Sequence, residues 1–327
     1  MAGDAPRSLL DRRLVIVTGK GGTGKTTVAA ALAVAAARAG RRVLVAEMAA
    51  DEQIVRLLAP GTPPVGYAGR ELLPGVLAQR IDPFEALTEY LVLQIGIRPL
   101  VETVMRNQGF RQLMSASPGW RELITLGKVW HLEQMQRSDG APRFDLLIID
   151  APATGHGMTF LDVPRVVVSA VRAGPLHHHT ERVEALLSDP DKTVLLPVTT
   201  AEELPARETA ELVERVRGEL GIAVDRVVIN AVAAAPFPAG LEDLDERLDR
   251  LPDSVRLETL PPTTVLADCS RYLRARYELN RRFVGEIAEM TRLPFVLLPR
   301  IPTGIDGPSA IEALAEPLMA APRAEAA

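Results

Sequence analysis

The chain has 327 residues, which at about 150 residues per domain allows two units or one elaborated α/β domain. Its 47% hydrophobic and 24% charged residues suffice for a full core, excluding a disordered chain, a collagen-like repeat and a disulfide mini-scaffold. The net charge of -5 gives no electrostatic reason to expect nucleic acid or anionic lipid as a partner.

In chain order, Leu14 to Val17 is a β-branched run suited to a buried strand, and the alanine-rich stretch up to Arg38 reads as a helix stopped by Gly40. Between them lies Gly19-Lys20-Gly21-Gly22-Thr23-Gly24-Lys25-Thr26, which fits G-x-x-x-x-G-K-[ST] in its strand-loop-helix context. Glycines let successive backbone N–H groups converge on phosphate oxygens, and the helix N-terminus adds positive potential. In such a loop Lys25 contacts the β- and γ-phosphates and Thr26 the Mg²⁺. Only four of the 37 basic residues are lysine, and two of them, Lys20 and Lys25, share this loop.

Further apolar runs at Val43 to Ala46, Val76 to Ile81, Phe144 to Ile149, Val166 to Val171, Thr193 to Val198, Val227 to Ile229 and Phe295 to Leu298 alternate with helical stretches. They predict an α/β fold, a mostly parallel sheet with helices on both faces, which binds ligands at the carboxyl ends of its strands. Asp150 closes one of these strands, the position of a Walker B carboxylate that supports Mg²⁺.

With Lys20 at its start and Thr27 at its end, the loop G-K-G-G-T-G-K-T-T resembles the deviant Walker A of dimeric ATPases that include the arsenite-pump, tail-anchored-protein targeting, division-site and plasmid-partition ATPases. Asp150-Ala151-Pro152-Ala153-Thr154-Gly155-His156 resembles the γ-phosphate-sensing D-T-A-P-T-G-H segment of the first two. Leu77 to Pro83, with Ala86 and Tyr90, and Pro118-Gly119 extend the likeness over most of the chain. It looks like a single-domain member of the ArsA-like ATPase family.

That resemblance implies a P-loop ATPase using ATP and Mg²⁺, with Lys20, Lys25 and Asp150 catalytic, Gly19 to Thr27 and Asn230 binding nucleotide, and Thr26 and Asp150 holding the metal. Asn230 matches the family's adenine-contacting asparagine, and the Ala231-Val232-Ala233 that follows lacks the carboxylate of a guanine-reading N-K-x-D. The resemblance sends Lys20 across a dimer to the nucleotide of a second ATPase subunit, identical or paralogous; a contact within its own chain is the alternative. It also implies a helical subdomain over 84–140, with a contribution from 241–290, that takes up a hydrophobic client or a membrane-protein partner.

The chain departs from the family after its second strand, where Glu47-Met48-Ala49-Ala50-Asp51 replaces a water-positioning D-P-A-H-like segment, leaving open whether Glu47, Asp51 or neither serves. Cys269 stands alone, without the thiolates that arsenite or a shared zinc needs, and is expected as a small buried residue. His177-His178-His179 is expected as a solvated helix start rather than a metal site.

Residues 52–140 are far longer than a plain crossover, for which the whole β-α-β unit takes about 30 residues. Phe84 to Ile95, Leu100 to Phe110 and Trp120 to Met135 read as helices whose apolar stripes form either ordinary core or a partner surface. Leu241 to Arg250 reads as a solvated charged helix and 323–327 as a frayed tail, the whole forming one P-loop domain over 1–327. No apolar run reaches signal-peptide or spanning length, so a cytoplasmic protein is expected. Besides the ATP-driven dimeric switch, the sequence leaves room for a slow nucleotide-gated regulator or a small-molecule phosphoryl transferase.

Overall fold

A computed structural model describes residues 7–49, 51–117, 119–170, 173–238, 240–241, 243–251 and 259–324, with the backbone alone at 154–159, 170 and 175. Its centre is an eight-stranded sheet made of β1 (Leu14–Thr18), β2 (Val43–Glu47), β3 (Arg70–Leu73), β4 (Val76–Arg80), β5 (Leu146–Asp150), β6 (Thr193–Thr200), β7 (Val227–Val232) and β8 (Phe295–Pro299). The strand order is β3-β4-β2-β5-β1-β6-β7-β8, parallel except for β3. β1, β2 and β5 are buried at every residue, as continuous apolar runs in a doubly covered parallel sheet should be.

One face is covered by α1 (Lys25–Arg38), α2 (Gln53–Leu58) and α12 (Pro308–Leu318). Val28 to Ala36 of α1 are all buried, and alanine's short side chain lets the helix lie close to the sheet and to α12 together. The other face carries α6 (Trp120–Gln134), α7 (Thr154–Ala170), α8 (Pro175–Ser188), α9 (Glu203–Arg215) and α11 (Thr263–Thr291). β1 sits between β5 and β6, so the loop leaving its carboxyl end opens where the chain reverses its winding.

Three helices precede α6 in the insertion: α3 (Pro83–Ile95), α4 (Arg98–Arg106) and α5 (Gln108–Ala116). Asp82 caps α3 by accepting from Phe84 N at 2.9 Å and Glu85 N at 3.1 Å, with Pro83 in the first turn. The single helix expected over Leu100 to Phe110 is two, because the Asn107 side chain accepts from Phe110 N and starts α5. Leu87, Val101, Met105 and Trp120 form a small core of their own. A cleft of about 470 Å³, lined in part by Gln79, Glu89 and Lys128, opens between β4, α3 and α6.

Several expectations are corrected. Val166 to Val171 is not a strand: through Ala170 it is the end of α7, and Val166 is 54% exposed, where a central strand would bury it. β5 and β6 occupy the places on either side of β1. β3 was not expected; it is a short edge strand folded back on β4 through Pro74-Gly75, with Gly75 at φ 81°. Cys269 is exposed on α11 rather than buried. Within the run His177-His178-His179, His178 is solvated, while His179 packs its ring 5.0 Å from Trp130 and 5.4 Å from Tyr90.

α10 (Leu244–Asp249) is not solvated all round, since Asp245 is buried and pairs with Arg274 of α11 at 2.5 Å. α11 packs against α9, α10 and β7. Arg323 is not frayed but exchanges backbone hydrogen bonds with Phe295, and 325–327 lie outside the described residues.

Candidate nucleotide site

The loop from Gly19 to Gly24 links the end of β1 to the first turn of α1. Two of its glycines are demanded by close approach. At Gly19 (φ 148°) a Cβ would lie 2.1 Å from the Val198 carbonyl oxygen, and at Gly24 (φ 90°) 2.1 Å from Asn230 Nδ2. Gly21 and Gly22 lie exposed at the loop's crest, Thr23 is buried and Thr27 half-buried. The carbonyl of Lys20 accepts from Thr23 Oγ1 at 2.9 Å and from Lys25 Nζ at 3.1 Å, so both side chains tie the loop into a ring. Gly24 offers no side-chain cap, which leaves the first N–H groups of α1 without a partner from the cap.

Asp150 at the end of β5 accepts from Thr26 Oγ1 at 2.6 Å, and its second oxygen, Oδ1, is buried with no hydrogen-bond partner. Burial raises the Asp150 pKa, against the Thr26 hydrogen bond and the charge of Lys25. Burial likewise lowers Lys25, against the attraction of Asp150. Each charge is therefore only partly compensated by the other. An orphaned carboxylate oxygen beside a hydroxyl is a donor set that suits a hard divalent cation, and an under-compensated lysine at a helix N-terminus suits a polyanion.

Asn230, at the end of β7, donates from Nδ2 to the Thr23 carbonyl at 2.9 Å and so rests on the phosphate loop. Lys20 turns outward and pairs with Glu208 of α9 at 2.7 Å, both about one-third exposed. The structure thus brings Lys20, Thr23, Lys25, Thr26, Asp150 and Asn230 to one strand-end site. The segment 150–156 leads from β5 into α7, but the side chains of Thr154 to His156 lie outside the described residues, as does Pro118.

The two carboxylates left open after β2 separate clearly. Asp51 is exposed and engaged by Arg56 at 2.6 Å and by Gln53. Glu47 is 2% exposed, stands in register with Asp150 across the β2–β5 pair, and accepts from Gln53 N at 2.7 Å. Burial pushes its carboxyl up to about 7, against the Gln53 and Ile54 N–H groups and with help from Asp150 and Glu52. Sequence reading did not find this burial; its only signal was a carboxylate ending a five-residue apolar strand. Glu208 carried no signal at all, because it reaches Lys20 only through the packing of α9 beside β6. Among the described residues no three His, Cys, Asp or Glu side chains group to hold a metal, and no helix is long and apolar enough to cross a membrane.

Residues 12–173 match the family model described as anion-transporting ATPase. The chain is also 31% identical to ATPase BagA of Mycobacterium tuberculosis over 92% of its own length and 91% of that protein. It belongs to the ArsA-like ATPase family. More distant members include the arsenical pump-driving ATPase of Escherichia coli, 26% identical over 69% of this chain and 44% of that one. ATPase GET3 of Eremothecium gossypii is 23% identical over 70% and 75%. This ArsA-like protein is an ATPase and binds nucleotide at a P-loop of the α/β fold described above.

Proposed function

We propose that this ATPase is a two-subunit, Mg²⁺-dependent ATP switch whose nucleotide state is relayed to its helical insertion. The observation that carries the reading is the meeting of Lys25, Thr26 and the orphaned Asp150 Oδ1 at the N-terminus of α1. Lys25 would hold the β- and γ-phosphates, supported by the N–H groups of the Gly19 to Thr27 loop. Thr26 and Asp150 would hold Mg²⁺, which when bound neutralises charge developing on the phosphates. With Nδ2 held at Thr23 through one of its two N–H bonds, the Asn230 Oδ1 remains as an acceptor for the base. It matches the 6-amino donor of adenine and opposes the 6-oxo acceptor of guanine, which favours ATP over GTP.

Lys20 is the cross-subunit residue in this reading, and its pairing with Glu208 is no obstacle. A partly exposed pair of this kind contributes about 0–1 kcal/mol, so a triphosphate from a second subunit can displace it. The second subunit is a copy of this chain or a paralogue. We assign the helical subdomain to 84–140 with a contribution from 241–290, a hydrophobic client or membrane-protein partner to its exposed apolar side chains, and the cytoplasm as its compartment. A slow-turnover variant of the switch is favoured by one observation. Glu47 is occupied at the start of α2 and Asp51 by Arg56, so neither carboxylate is free to orient water in this arrangement.

Light scattering with and without Mg²⁺-ATP, with phosphate release followed on the same samples, tests the reading. A compact dimer should form with ATP in the wild type, and Lys20→Ala should keep nucleotide binding while losing both dimer and turnover. A monomer that binds ATP and hydrolyses it equally well without Lys20 would refute the two-subunit mechanism.

A further inference from the structure

Beyond the phosphate loop, one buried residue on α11 is placed to govern how the site reads the base. β7 carries a bulge beside β8: Ile229 pairs with Leu297 and Val232 with Pro299, so Asn230 and Ala231 together face Leu298. Within the bulge Ala231 has φ 56°, a left-handed conformation that costs a residue with a Cβ about 1–2 kcal/mol. Strain of this kind persists only where neighbouring contacts over-determine it. Its consequence is local: the bulge turns Asn230 toward the phosphate loop, where its amide donates to Thr23 and abuts Gly24.

The contacts that hold the bulge are few. Val232 accepts from Arg300 N at 2.9 Å. Ala233 N donates to Asn280 Oδ1 at 2.9 Å, and Asn280 Nδ2 donates to the Ala201 carbonyl, just past β6, at 3.1 Å. Asn280 is 5% exposed, and both halves of its amide are used. An apolar side chain of similar volume would suit a buried helix face as well, whereas an amide bonded at both ends fixes position. Asn280 therefore clamps the ends of β6 and β7 to each other and to α11, and it grips β7 at Ala233, two residues beyond the strained Ala231 and three beyond Asn230.

We propose that Asn280 is a positioning residue for base recognition: by pinning Ala233 it holds the Ala231 bulge, and so keeps the Asn230 amide oriented with its acceptor toward the base. The same bonds link α11 to the strand end that carries Asn230. The proposal rests on the reading of Asn230 as the adenine contact, and the test separates the two.

The experiment measures dissociation constants of ATP, GTP and inorganic tripolyphosphate with Mg²⁺ for the wild type, Asn280→Ala, Asn280→Leu, Asn280→Asp and Asn230→Ala. Asn280→Ala and Asn280→Leu should weaken ATP about tenfold, the equivalent of one lost hydrogen-bond-sized interaction, and erase the preference over GTP. Tripolyphosphate, which has no base, should bind as in the wild type. Asn280→Asp keeps the acceptor for Ala233 N–H and should retain the preference even where thermal stability falls. If Asn280→Ala does not fold, Asn280→Leu, which keeps the branching of the side chain without its polar atoms, decides. Equal weakening of ATP and tripolyphosphate would mean a merely structural residue and overturn the proposal, as would an unchanged ATP-to-GTP ratio. Loss of preference in Asn230→Ala but not in the Asn280 variants would sink this inference alone. An unchanged preference in Asn230→Ala would remove the base-contact reading and this inference with it.

Discussion

The phosphate loop and the helical insertion are built from opposite kinds of stability. Around the loop, β1 and α1 are buried along nearly their whole length, and the loop's polar groups bond within a few residues of one another. In the insertion, α5 buries no side chain, Leu93 is 62% exposed and Leu113 64%. Its own core is four buried residues, Leu87, Val101, Met105 and Trp120. A site that must hold a triphosphate in one geometry draws on dense packing, whereas helices with few buried contacts lie at the low-stability end of a structure, from which moving elements come. The difference predicts that substitutions in the loop act on chemistry and those in the insertion on assembly.

The largest effect that would break this contrast is at Lys25. Lys25→Ala should lower turnover by about 100-fold or more and abolish ATP-induced thermal stabilisation, because Lys25 carries the positive charge in the first turn of α1. Turnover and stabilisation at wild-type levels would remove the phosphate-site assignment. Gly24→Ala comes next. Its Cβ would have to displace the Asn230 amide, so about 1–3 kcal/mol of stability and most nucleotide affinity should be lost together. A loss of stability with affinity intact would show that the loop tolerates the displacement.

Glu47 sharpens the comparison through pH. Its folded-state pKa, about 7, lies above the ordinary 4.5, so the native state binds this proton more tightly than the unfolded chain does. Its contribution is whole at low pH, declines as pH rises from about 4.5 to about 7, and is gone above that, a change of up to about 3 kcal/mol. Unfolding of the nucleotide-free protein at pH 5 and pH 8 should show this decline, and Glu47→Gln should flatten it. Identical pH dependence in both proteins would place the proton elsewhere. The smallest effect is expected from Leu113→Ser, within about 0.5 kcal/mol in stability because the side chain is already in water. Any consequence it has should appear in light scattering or partner capture and not in the melting temperature.

Much of the candidate site's architecture was legible in the residues because it is local. A strand, a glycine-rich turn and a helix N-terminus stand side by side in the chain, and Asp150 announces itself as the polar end of an apolar strand. Other readings failed where neighbours decide. The valines at 166–168 have strand character, yet they form the partly exposed end of α7 because β5 and β6 already flank β1. Asn107 split a continuous apolar pattern by capping α5, and Cys269 faces outward because Ala267 and Ser270 take the inner side of α11.

By itself the sequence determined the α/β class and the family, and it located the glycine-rich turn carrying Lys25 and Thr26 and the strand-ending Asp150, since each depends on residues adjacent in the chain or on the periodicity of burial. Only the tertiary structure decided that Glu47 is buried beside Asp150 while Asp51 is not, that Lys20 rests on Glu208, and that Asn280 holds the ends of β6 and β7. Those contacts join residues far apart in sequence, and no local propensity records them. They exist because parallel strands, joined through crossover helices, bring distant carboxyl ends to one edge of one sheet.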